Sequence, residues 1–280
     1  MSTDNETPMG REKGPLPYEG FEDYTWLDEP LATYYSAEQA TLARQISQEV
    51  NQAAILLGRL LSLPVPDMNI LLVSSAEWEF APPDEMDAPP GPPEVKLPYW
   101  TDVPDLPTIV VPEQMDEIMG EATPEKRSLL LYHELMHAFF ESDPSPWPDE
   151  SPLWADEWQL QFASFWLFQQ LHGNSEQIMA DLHKQFAESF EPEPDGKTPV
   201  TVRGFDWYED TAPEDYLEYA LLLEKFAIDL LARYDATILP RFMERYRQAT
   251  PVLLSDEVTT MLAEVLGPGG EEWLENLVYF

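Results

Sequence analysis

Cysteine is absent from the chain, which excludes disulfides, thiolate metal ligands and a thiol nucleophile. Basic residues are scarce: 15 Lys and Arg stand against 53 Asp and Glu, a formal net charge of −38 over 280 residues. Nucleic-acid binding relies on clustered Lys and Arg, so no nucleic-acid partner is expected, and an anionic membrane surface would repel this chain. Long apolar runs are missing too. The most hydrophobic stretches, such as AAILLGRLL at 53–61, are too short or too charged to span a bilayer. The opening MSTDNETPMGREKG has no apolar stretch, so no secretory signal is expected and the expected location is cytoplasmic.

Apolar residues are nevertheless plentiful. A 44% hydrophobic share with nine Trp is enough for a folded protein with a sizeable core. The plainer reading of the acidity is a solvated surface; the functional one is a cationic or basic substrate.

Along the chain, residues 1–15 read as a disordered polar start and 16–35, rich in acids and aromatics, as an extended strap. Ser36 with Gln39 forms a capping-box pattern, and helical spacing of Leu42, Ile46, Val50, Ala53, Ile55 and Leu60 continues until Pro64. MNILLVSS, at 68–75, reads as a buried strand. The proline-dense 81–99 is predicted to be a loop. PTIVVPEQM, at 107–115, reads as a second strand, with Pro112 suggesting an edge position.

Thr123 followed by Pro124 predicts a helix running to about Glu141. SDPSPWPDESP interrupts it, and LWADEWQLQFASFWLFQQLH predicts another helix ending near Gly173. Further helices are expected at about 175–189, from the Thr211–Glu214 capping box through Tyr234, and at 239–249, 256–266 (Ser255 as N-cap, Gly267 as stop) and 271–279. VTVRGFDWYED is ambiguous between strand and coil. The expected class is α+β: a strap over 1–35, a mixed α/β lobe over 36–145 and a helical lobe over 146–280.

The sequence YHELMH, at 132–137, lies at the junction of these lobes. On a helix, His133 and His137 project from one face about a turn apart, where one ion can bind both imidazoles. Glu134 lies about 100° round from His133 and can reach a water at the metal without being a ligand. This is the H-E-x-x-H zinc pattern. Burying three ionisable groups in LLLYHELMHAFF is costly unless a partner, such as a metal, compensates.

A third ligand is needed. Glu157, twenty positions after His137 and on the next helix, is favoured. Asp143 has the metzincin spacing, but Phe140 stands where that geometry wants glycine. His172 and His183 have no recognisable spacing. Asp156, next to Glu157, points about 100° away, toward solvent or as an acceptor for a ligand's N–H.

His133-Glu134-Leu135-Met136-His137 followed by Glu157 resembles the gluzincin arrangement of the thermolysin-like clan of zinc peptidases. The resemblance covers roughly residues 68–280 and is specific at 133–157. It implies a zincin-like lobe with a small sheet and the motif helix, then a helical lobe carrying the third ligand. It also implies a zinc-dependent metallopeptidase acting on a peptide or protein, with Glu134 as general base. In that family the residue four after the third ligand, often Asp, hydrogen-bonds a zinc histidine. Here it is Gln161, which can accept through its amide oxygen but carries no charge.

QFASFWLF is similar to the F-A run on the glutamate helix of small metallopeptidases. YALLLEKFAIDLLARYDATILPRFMERY with DEVTTMLAEVLGPGGEEWLEN resembles the helical region after the zinc site of minimal gluzincins. A tyrosine near the start of that region's first helix often faces the metal. Tyr219 fits it best, with Tyr216 one turn earlier and His183 and Arg203 as other donors. The Gln161 departure and the lack of a clear oxyanion histidine leave an alternative: a zinc-binding protein of this fold without turnover, with a binding or regulatory role.

Overall fold

The computed structural model describes residues 20–84, 92–103, 107–145, 147–173, 178–185, 200–205, 216–249 and 251–280. The expected disordered start at 1–15 and the Thr211–Glu214 capping box lie outside these residues, as do both ends of the helix expected at 175–189.

Short-range signals place most of the elements. Gln39 accepts the Ser36 N–H (3.2 Å), and a short 3-10 turn leads into α1, Ala40–Leu61. Thr123 accepts the Lys126 N–H (3.2 Å), and Pro124 is the first residue of α2, Pro124–Ser142. α3, Leu153–His172, stops at Gly173 with φ +95°, a conformation glycine adopts without penalty. The remaining helices are α4 (Ala180–Gln185), α5 (Tyr216–Arg233), α6 (Ile238–Arg247), α7 (Ser255–Leu266) and α8 (Gly270–Glu275). The ambiguous segment at 200–210 is a 3-10 turn over Val202–Gly204 in its described part.

Ser255 does not cap α7. Its hydroxyl accepts from Trp154 Nε1 (3.0 Å) and Arg203 Nε (3.2 Å), while the Glu257 carboxylate takes the Leu254 N–H (2.9 Å).

Part of the expected strap belongs to the sheet. Strands β1 (Thr25–Leu27), β2 (Thr33–Tyr35), β3 (Asn69–Val73), β4 (Tyr99–Thr101) and β5 (Thr108–Pro112) form one mixed sheet in the order β1-β2-β3-β5-β4. β2, β3 and β5 run parallel, and β1 and β4 are antiparallel edges. The edge reading of Pro112 is therefore corrected: β5 is internal. Its tail tolerates proline because Glu113, not Pro112, donates to β3 (2.8 Å to Val73 O), and β4 pairs β5 only over Thr108–Val110.

Side-chain alternation divides the core at the sheet. Ile70, Leu72, Ile109 and Val111 face the helices, while Leu71, Val73 and Val110 meet Phe21, Tyr24, Trp78 and Tyr99 on the other face. α3 packs against α1, α2, α5 and α6, and its Trp154, Trp158, Phe162 and Phe165 are fully buried. Each such side chain contributes about 2–3 kcal/mol of hydrophobic stabilisation. Among the described residues no helix is long and apolar enough to cross a membrane.

Candidate metal centre

α2 carries the motif on its buried flank, and the 143–152 connection returns the chain so that the first turns of α3 face the last turns of α2. His133 and His137 stand 5.2 Å apart between ring centroids, and Glu157 Oε2 lies 3.7 Å from His133 Nε2. One ligand atom from each of the three lies within 4.8 Å of the others, so the cluster can hold a metal ion. A tetrahedral ion with ligands at about 2.0–2.1 Å needs donor atoms roughly 3.4 Å apart, which small rotamer changes supply.

Glu134 is 9% exposed and stands outside this triangle. Edge strand β4 holds it: the Trp100 N–H donates to Glu134 Oε2 (2.9 Å). Burial raises the Glu134 carboxyl well above its ordinary range; the Trp100 N–H opposes that and the Glu157 charge adds to it. Burial, then neighbouring Asp156, pushes Glu157 up to about 8. Burial takes His133 down to about 3, aided by His137, and His137 down to about 4. Both imidazoles are thus neutral near pH 7, the form a metal needs.

These shifts predict how stability varies with pH when the metal is absent. A folded carboxyl that keeps its proton up to about pH 8, against 4.5 unfolded, makes stability fall as pH rises between those values. The depressed histidines act oppositely, but only below 6.5, where the unfolded chain takes up protons. Above pH 6.5 the carboxyls dominate. The melting temperature of chelator-treated protein is expected to drop between pH 6.5 and 8, and to drop less in a Glu134→Gln/Glu157→Gln variant. A flat wild-type profile would contradict the buried carboxyls.

The other third-ligand candidates are engaged elsewhere. Asp143 is buried in an ion pair with Arg247 and accepts the Ser145 N–H (3.0 Å). His172 lies against the Tyr132 hydroxyl (2.7 Å) and 3.5 Å from Glu49. His183 pairs with Glu224 at 3.2 Å.

Gln161 walls the same cavity as His133, yet His133 Nδ1 is buried with no hydrogen-bond partner among the described residues. Tyr219 packs on Phe205, 5.3 Å between ring centroids, and it is Phe205 that walls the cavity. The Tyr216 side chain lies outside the description. Arg203 is drawn to Asp256 and Ser255. Asp156 is not solvent-facing: it accepts from Tyr246 (2.9 Å) and Ser151 (3.1 Å), and burial raises it to about 6.

The ligand cluster separates two cavities. One, of ≈ 180 Å³, opens beside His133 and Glu134 toward α5; the other, of ≈ 370 Å³, opens beside His137 toward α6, and Glu157 borders both. A larger cavity of ≈ 680 Å³, walled by α7, α8 and Phe280, contains none of these groups.

Sequence reasoning missed two features of the smaller cavity. Leu97 and Pro98, at the end of the proline-dense loop, form part of its wall. Glu224, 2% exposed, contributes a further carboxyl. The available signal was an acid on the apolar face of YALLLEKFAIDLL. No protein-family model matches this chain, and no curated protein matches it.

Proposed function

We propose that the protein is a zinc-dependent metallopeptidase of zincin-like fold. The observation that carries this reading is the convergence of the partly buried His133, His137 and Glu157 with a buried carboxyl, Glu134, beside them rather than among them. Two neutral imidazoles and one carboxylate form a donor set suited to catalytic zinc. Bound there, zinc supplies Lewis acidity, polarising a carbonyl and lowering the pKa of a water molecule.

The chain's own groups do the rest. The Trp100 N–H fixes Glu134 through Oε2, leaving Oε1 to take a proton from the attacking water and pass it to the departing amine. Burial raises this carboxyl, the direction that helps it hold a proton until the amine departs. β4, rather than β5 as the sequence suggested, is the sheet edge at the site, and an extended peptide would add to it there.

One observation favours a second reading, a zinc-binding protein without turnover: the unpartnered His133 Nδ1 lacks the bond expected from Gln161. Incubating zinc-loaded protein with a mixed peptide library decides between them. Cleavage stopped by a chelator and restored by zinc is the expected result. No cleavage by fully loaded protein would favour the second reading.

A further inference from the structure

The larger of the two flanking cavities defines a substrate class. It shares His137 and Glu157 with the ligand cluster, so an occupant lies next to the reacting bond. One wall is aromatic: Phe140 and Trp147 stand 4.7 Å apart between centroids, and Trp147 and Tyr246 6.0 Å. Its charged groups are acids. Besides Glu157, these are Glu141 on the last turn of α2 and Asp156, held by Tyr246 and Ser151. Behind the Trp147 wall Arg247 is paired with Asp143 and lies 4.8 Å from the centre of the Trp147 ring. That ring therefore already serves as a platform for a guanidinium.

We propose that this cavity is a subsite for an arginine or lysine side chain of the substrate, its stem along the aromatic wall and its charge between Glu141 and Asp156. The inference rests on the metallopeptidase reading for its biological meaning. An apolar occupant would strip water from the exposed Glu141 carboxylate and return nothing, whereas a cation compensates Glu141 and the partly buried Asp156 together. Aromatic faces add cation–π attraction to the same occupant. The volume is within the range of small-ligand sites and ample for one long side chain. With a net charge of −38, the chain's field draws basic peptides toward the site.

The test has a cleavage arm and a binding arm. Zinc-loaded protein is given a randomised decapeptide mixture, and the cut sites are read by mass spectrometry. Lysine or arginine is expected at one fixed position relative to the cut. In a single peptide, replacing that arginine by its neutral isostere citrulline should lower kcat/KM at least tenfold, and Glu141→Gln and Trp147→Leu should each narrow that ratio. Cleavage without a basic preference, or a ratio unmoved by both variants, would overturn the subsite and leave the peptidase intact.

In the binding arm, fluorescence anisotropy compares the labelled arginine and citrulline peptides on zinc-loaded Glu134→Gln protein. Tighter arginine binding is expected. If no peptide is cleaved but the arginine peptide still binds preferentially, the subsite stands and the peptidase reading falls. Equal binding of the two peptides overturns the subsite.

Discussion

Glu134→Gln is expected to keep one zinc per chain and to lose hydrolysis by two to four orders of magnitude. The substitution is nearly isosteric, and the amide oxygen can still accept the Trp100 N–H that holds the wild-type carboxylate at 2.9 Å. Fold and ligand triangle are therefore preserved, because Glu134 is not one of the three groups that converge. What disappears is basicity: an amide cannot take a proton from water near neutral pH. Metal content by mass spectrometry and peptide turnover, measured on one preparation, separate the two properties. Wild-type turnover in this variant would remove Glu134 from the role of base.

Asp143→Ala is expected to do the reverse, destabilising the fold while leaving the metal in place. The Asp143 side chain is 1% exposed, and its partner Arg247 is 15% exposed. Removing the carboxylate leaves a guanidinium buried against Trp147 without a counter-ion, a loss of about 3–5 kcal/mol. For a chain of this size that lowers the melting temperature by roughly 5–9 °C. An Asp143→Ala/Arg247→Met variant should recover much of the loss, since the stranded charge goes with it. An unchanged melting temperature with lost metal would instead make Asp143 a ligand.

What the sequence made legible is what short-range chemistry determines. Ser36 and Gln39, Thr123 and Pro124, and Gly173 act within one helical turn, so their effects are visible without the fold. β3 and β5 were legible because a strand buried on both faces must be apolar throughout. Pro112 misled for a long-range reason: its missing N–H is harmless where β4 has already ended, and the length of β4 is not written near Pro112.

The site divides in the same way. His133, Glu134 and His137 share one helix and could be placed by spacing. The candidate for a third ligand remained one of several acids and imidazoles until the fold brought Glu157 to His133 at 3.7 Å. Glu224 was hidden differently, as an acid in a helix that otherwise reads as packing surface. Tyr219 was named by family resemblance, and Phe205, whose ring it packs on, takes the cavity wall.

The most direct test of the central claim is metal content by mass spectrometry, on wild type and Glu157→Ala protein purified without chelator. One zinc per wild-type chain, lost or bound at least a hundredfold more weakly in the variant, is the expected result. A wild-type protein that takes up no zinc even on reconstitution, or a variant that holds it as tightly, would contradict the assignment of His133, His137 and Glu157 as one metal centre.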